Sequence, residues 1–216
     1  MSDAGLRDLE RRWHSTGDLA AGRAYVQALL RAGEEARWLR ERVATGDLRQ
    51  DRLRLAAYLD HEAAQEALGD LPEISTGGDL ASWFIALPRS SLDEWQPTVR
   101  AVLSASELIE LPPTDTLSPY LLRELRGLCA GTASDLSRLP EYEGPPGEGD
   151  WTAKWVIGIG RNVGYLAHHN MHADVLASLR LFARGLLECG LTASQVQAKV
   201  AEDLVPWALS EARGAN

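Results

Sequence analysis

His172-Ala173-Asp174-Val175-Leu176-Ala177-Ser178-Leu179-Arg180-Leu181-Phe182-Ala183-Arg184-Gly185-Leu186-Leu187 is the stretch that decides the fold class. Val175, Leu179, Phe182 and Leu186 step by 4, 3 and 4, and His172 stands one step earlier on the same line. Residues so spaced share one side of a helix that turns every 3.6 residues, whereas a half-buried strand would alternate with period two. Leu176 and Leu187 widen the stripe toward the face that a core helix buries. Gly190 closes the segment, and Thr192 with Gln195 has the spacing of a capping box. Val196, Val200 and Leu204 continue a further helix, which Pro206 kinks or ends before Trp207 and Leu209.

Moving toward the N-terminus, helix signals recur. Leu6, Leu9 and Trp13 form an amphipathic segment that stops near Gly17. Asp18 is placed to cap a second helix through Leu19, Tyr25, Val26, Leu29 and Leu30, closed by Gly33. Glu34 to Ala44 is a third, with Trp38, Leu39 and Val43 on one side. Asp47 is placed to cap a fourth through Leu48, Leu53, Leu55, Tyr58 and Leu59, and Glu62 to Leu68 is a short fifth ending at Gly69. Asp79 precedes the apolar run Leu80 to Leu87, which Pro88 closes. Ser91 with Glu94 has capping-box spacing, and Pro97 suits a first helical turn, where a missing N–H costs nothing. Val99, Val102, Leu103 and Ile109 keep helical spacing up to Pro112-Pro113, and Ser118-Pro119 opens Tyr120 to Cys129. The run Trp155-Val156-Ile157-Gly158-Ile159 is the best strand candidate, although a short apolar run does not separate strand from buried helix.

The expected fold is therefore all-α: antiparallel helical hairpins forming a bundle or a short solenoid of the HEAT or TPR kind. Thr16-Gly17-Asp18-Leu19 recurs as Thr45-Gly46-Asp47-Leu48 and loosely at Thr76 to Leu80, offsets of 29 and 31 residues. A period near 30 is what a helix–turn–helix repeat gives. The competing explanation is a stop-and-cap junction used more than once. Residues 140–150, Pro-Glu-Tyr-Glu-Gly-Pro-Pro-Gly-Glu-Gly-Asp, are too polar and too rich in Pro and Gly to order themselves by burial. They divide an N-terminal helical region, 1–139, from a C-terminal helical hairpin region, 151–216, the alternative being one continuous domain.

Composition narrows the class of function. The chain has 216 residues, is 45% apolar and 25% charged, and carries a net charge of −9. That charge is concentrated in residues 71–150, which hold 13 acidic and 5 basic groups. An acidic surface repels phosphate backbones, so nucleic acid is not the expected partner. No apolar run approaches the roughly 20 residues that span a bilayer, and the first residues lack a basic region followed by an apolar one. Cys129 and Cys189, widely spaced in apolar contexts, suit a reducing compartment. The expected location is the bacterial cytoplasm; 20 Arg against 2 Lys is the usage of a GC-rich genome.

Three of the five histidines fall in His168-His169-Asn170-Met171-His172. In a continuous helix His168 and His172 lie one turn apart on one face, an arrangement that suits a divalent metal such as zinc. A third ligand would come from His61 or Asp174. The cluster lacks the glutamate of a His-Glu-x-x-His motif. Two structural alternatives compete with the metal: histidines on the inner side of the apolar stripe, or a hairpin at Asn170 that leaves His168 at a helix C-terminus. Gly158-Ile159-Gly160-Arg161-Asn162-Val163-Gly164 has the glycine content of a phosphate-binding turn but not the dinucleotide spacing, and close helix packing explains it better. No Gly-x-Ser-x-Gly is present. Of the seven tryptophans, Trp38 and Trp151 stand in polar surroundings and are candidate contact residues, together with Glu141, Glu143, Glu148 and Asp150.

Arg52-Leu53-Arg54-Leu55-Ala56-Ala57-Tyr58-Leu59-Asp60-His61-Glu62-Ala63-Ala64-Gln65-Glu66-Ala67-Leu68-Gly69 resembles helical-hairpin segments of uncharacterised bacterial proteins, some of them similar to small helical immunity or accessory proteins. The resemblance implies a helical fold and transfers no site residue. The expected function is a non-enzymatic interaction protein, without a cofactor, that meets a basic partner protein through an acidic helical surface. The alternative is a metal-dependent helical-bundle enzyme built on His168, His172 and His61.

Overall fold

A computed structural model describes residues 3–16, 19–69, 79–87, 95–111, 113, 115, 117–130, 153–169 and 171–210. Among them there are eleven helices and no strand, so the protein is all-α. The chain forms two compact units, residues 1–72 with 209–216, and residues 73–208.

The first unit holds α1 (Asp3–Thr16), α2 (Leu19–Arg31), α3 (Glu35–Thr45), α4 (Gln50–Tyr58) and α5 (Glu62–Leu68). Leu6 of α1 is buried with Tyr25, Ala28 and Leu29 of α2, and Leu9, Trp13 and Trp38 pack around them. Gly22 lets the indole of Trp13 lie directly on α2: a Cβ there would sit 2.7 Å from Nε1. Helix ends follow the expected glycines. Gly33 and Gly46 take positive φ, and Glu34 N–H returns to the Leu29 carbonyl at 2.9 Å. Asp60 adopts φ +62 without being glycine, a conformation that its short polar side chain tolerates. Asp47 does not cap α4. The cap position is Arg49, and the Asp47 carboxylate accepts the Thr45 hydroxyl at 2.6 Å. The two aligned Thr-Gly-Asp-Leu junctions both join helices, α1 to α2 and α3 to α4, but the aligned Leu30 and Leu59 differ, the first exposed and the second buried. Asp18 and Thr76 to Gly78 lie outside the described residues.

The second unit holds α6 (Leu80–Ala86), α7 (Gln96–Ser106), α8 (Ser118–Ala130), α9 (Ala153–His168), α10 (His172–Glu188) and α11 (Ala193–Ala208). Its axis is α9, against which α7, α8 and α10 all pack. This helix buries Val156, Ile157, Ile159, Val163 and Leu166 and leaves the line Lys154, Gly158, Asn162 and Tyr165 exposed or half-buried, as expected of a helix enclosed on several sides. The run Trp155 to Ile159, left open between strand and buried helix, is helix, with Trp155, Val156, Ile157 and Ile159 buried in a unit where α7, α8 and α10 pack on α9. Phe182 of α10 meets Phe84 of α6 edge-on at 5.7 Å, while Val175, Leu179 and Leu186 are buried as the opening periodicity requires. Leu187, expected to widen that stripe, is exposed. Pro206 sits inside α11, which continues to Ala208.

Among the described residues α3 and α5 run parallel, since Glu35 meets His61 and Arg40 meets the Glu66 carbonyl, and α8 and α9 do so too. Asp115 lies near Lys154, Glu124 meets Arg161, and Leu125 with Leu128 meets Gly164, so the two helices advance together. Residues 140–150, expected as an acidic loop between two helical regions, lie outside the described residues; the helices α8 and α9 belong to one unit.

Capping residues set the helix starts. Asp79 accepts the Ser82 N–H at 2.9 Å, and Thr192 with Gln195 exchanges both capping-box bonds, at 3.2 and 2.8 Å. Before α8, Asp115 accepts the backbone N–H of Leu117 and of Ser118, each at 3.0 Å, as well as the Ser118 hydroxyl. Partial burial pushes the Asp115 carboxyl up, but these accepted bonds and Lys154 outweigh it and hold its pKa below the usual carboxylate range. A carboxylate with a depressed pKa stabilises the fold above its unfolded pKa, roughly 4, and loses that contribution as pH falls through the lower folded value. Asp115→Ala is expected to cost about 1 kcal/mol at neutral pH. The loss should shrink toward acid pH in thermal melts; a pH-independent loss would refute the cap.

Candidate functional site

The histidine segment is the connection between two helices. His168 is the last residue of α9 and His172 the first of α10. His169 N–H donates to the Tyr165 carbonyl at 3.1 Å, and Met171 N–H reaches back to Leu166 at 2.9 Å, the bond that closes a helix end before the chain turns. The continuous helix that would set His168 and His172 one turn apart is thus interrupted, and the chain takes the hairpin alternative. The reason lies in the Schellman-type closure between Leu166 and Met171, which outcompetes continuation of the ladder. His168 stands at a helix C-terminus, where partial negative charge favours a cation. The side chains of His168 and His172 lie outside the described residues; the His169 ring is exposed and lies tilted against Tyr165, with ring centres 4.4 Å apart.

His61 belongs to the first unit, whereas His168 and His172 belong to the second. It is the N-cap of α5: Nδ1 accepts the Ala64 N–H at 3.3 Å, and Nε2 lies 3.7 Å from a Glu35 carboxylate oxygen. With Nδ1 accepting, the ring hydrogen resides on Nε2, facing Glu35. Its position in Asp60-His61-Glu62, immediately before a helical run, was the available signal for this capping role. Asp174 is exposed in the first turn of α10. Among the described residues no three His, Cys, Asp or Glu side chains gather as a metal site. Elemental analysis of untagged protein is expected to find no stoichiometric metal, with His168→Ala/His172→Ala changing stability alone. A full equivalent of zinc, iron or manganese, lost in the double variant, would make the hairpin a metal centre.

The glycine-rich segment lies inside α9 and is not a phosphate turn. A Cβ on Gly160 would come within 2.9 Å of Phe182 and of Val102, and one on Gly164 within 2.9 Å of Leu125. These glycines let three helices approach α9.

Arg161, in the same segment, is the largest fully buried side chain among the described residues, 1% exposed. Its Nε donates to the Glu124 carboxylate at 2.8 Å, and its guanidinium lies 5.9 Å from the Tyr165 ring centre. The same carboxylate, close to the Tyr120 hydroxyl, raises the phenol's pKa. Sequence reasoning missed this cluster, because Glu124 and Arg161 are 37 residues apart. A second network lies in the first unit. There the Tyr25 hydroxyl donates to both Glu41 oxygens, at 3.0 and 3.1 Å, and Arg37 bridges Glu41 and Glu10 at 3.0 and 2.8 Å. Burial first, and then Glu41, push the Tyr25 phenol well above its ordinary range. Both networks compensate charge inside the protein and hold helices together. No nucleophile emerges from the cysteines: burial pushes Cys129 up to about 11 and raises Cys189, so both remain thiols at neutral pH.

No protein-family model matches the chain, and no curated protein or solved structure shows significant similarity to it. Of the candidate contact residues, Trp38 is half-buried, with the Arg42 guanidinium 5.0 Å from its ring centre. Glu141, Glu143, Glu148, Asp150 and Trp151 lie outside the described residues. No helix among the described residues is long and apolar enough to cross a membrane.

Proposed function

We propose that this chain is a non-enzymatic interaction module, of the immunity or accessory kind, acting in the bacterial cytoplasm. It recognises a basic partner protein through the acidic charge between residues 71 and 150. The observation that carries the reading is how that charge is distributed. Within 140–150 stand Glu141, Glu143, Glu148 and Asp150 with no lysine or arginine among them. Several charged groups on the helices, by contrast, are paired in place: Arg37 with Glu10 and Glu41, Arg126 with Glu107, and Arg161 with Glu124. A run of one sign raises the local potential and speeds encounter with a surface of the opposite sign.

The test is capture from a lysate of the source cells, with the wild-type chain and the variant Glu141→Gln/Glu143→Gln/Glu148→Gln/Asp150→Asn side by side. The wild type is expected to retain a basic protein in stoichiometric amount at low salt, and the variant to retain far less. Equal retention by both would remove the acidic run from the interface.

A further inference from the structure

We draw no further inference here: the strongest candidate, the outward face of α10 with exposed Leu181 and Leu187 beside Arg180 and Arg184, is an unpartnered surface patch, and nothing in the structure shows what covers it.

Discussion

Replacing Glu124 with alanine is expected to lower the stability of the second unit by about 3 kcal/mol. The carboxylate is the counter-charge, 2.8 Å away, of a guanidinium that is 1% exposed. Removing it leaves the cost of desolvating Arg161 while deleting the attraction that offsets it. Replacing both partners, Glu124→Leu with Arg161→Met, should recover most of the loss, since apolar side chains of similar volume avoid the desolvation cost altogether. Urea denaturation followed by circular dichroism measures both variants. A shifted midpoint with an unchanged slope is the expected signature in the single variant. A single variant as stable as the wild type would show that the pair contributes nothing to the fold.

Gly160→Ala carries the second large effect. Alanine should gain roughly 1 kcal/mol over glycine in a helix interior. Here the new methyl would press on Phe182 of α10 at 2.9 Å, and on Val102 and Ser106 of α7 at 2.9 and 3.1 Å. Overpacking from several sides costs about 1–3 kcal/mol and outweighs the gain in propensity. A net loss is expected for alanine, and failure of the second unit to fold for Gly160→Leu. Increased stability of Gly160→Ala would mean that α7 and α10 do not close on α9 as described.

Residues whose partners are near in sequence were the legible ones. The stripe Val175, Leu179, Phe182 and Leu186 and the capping box Thr192/Gln195 depend on helical spacing alone, and the structure has both. What could not be read locally depends on neighbours brought from far along the chain. Trp155 to Ile159 could not be assigned to strand or helix because the short run is apolar throughout, and α7, α8 and α10 pack on the helix that carries it. Arg161 sat in what resembled a phosphate turn, and only Glu124 from another helix gives it its role. Asp115 was passed over because Ser118-Pro119 already marked a helix start, although its carboxylate takes both N–H groups there. The histidines show the limit from the other side. Their spacing suited a helix, and the chain turns between them instead.

The interaction proposal is tested most directly by the salt dependence of association with the captured partner. The rate constant should fall steeply between low and physiological ionic strength for the wild type, because screening weakens long-range attraction. It should start lower and fall less for Glu141→Gln/Glu143→Gln/Glu148→Gln/Asp150→Asn. Superimposable salt profiles for the two proteins would contradict recognition through the acidic run.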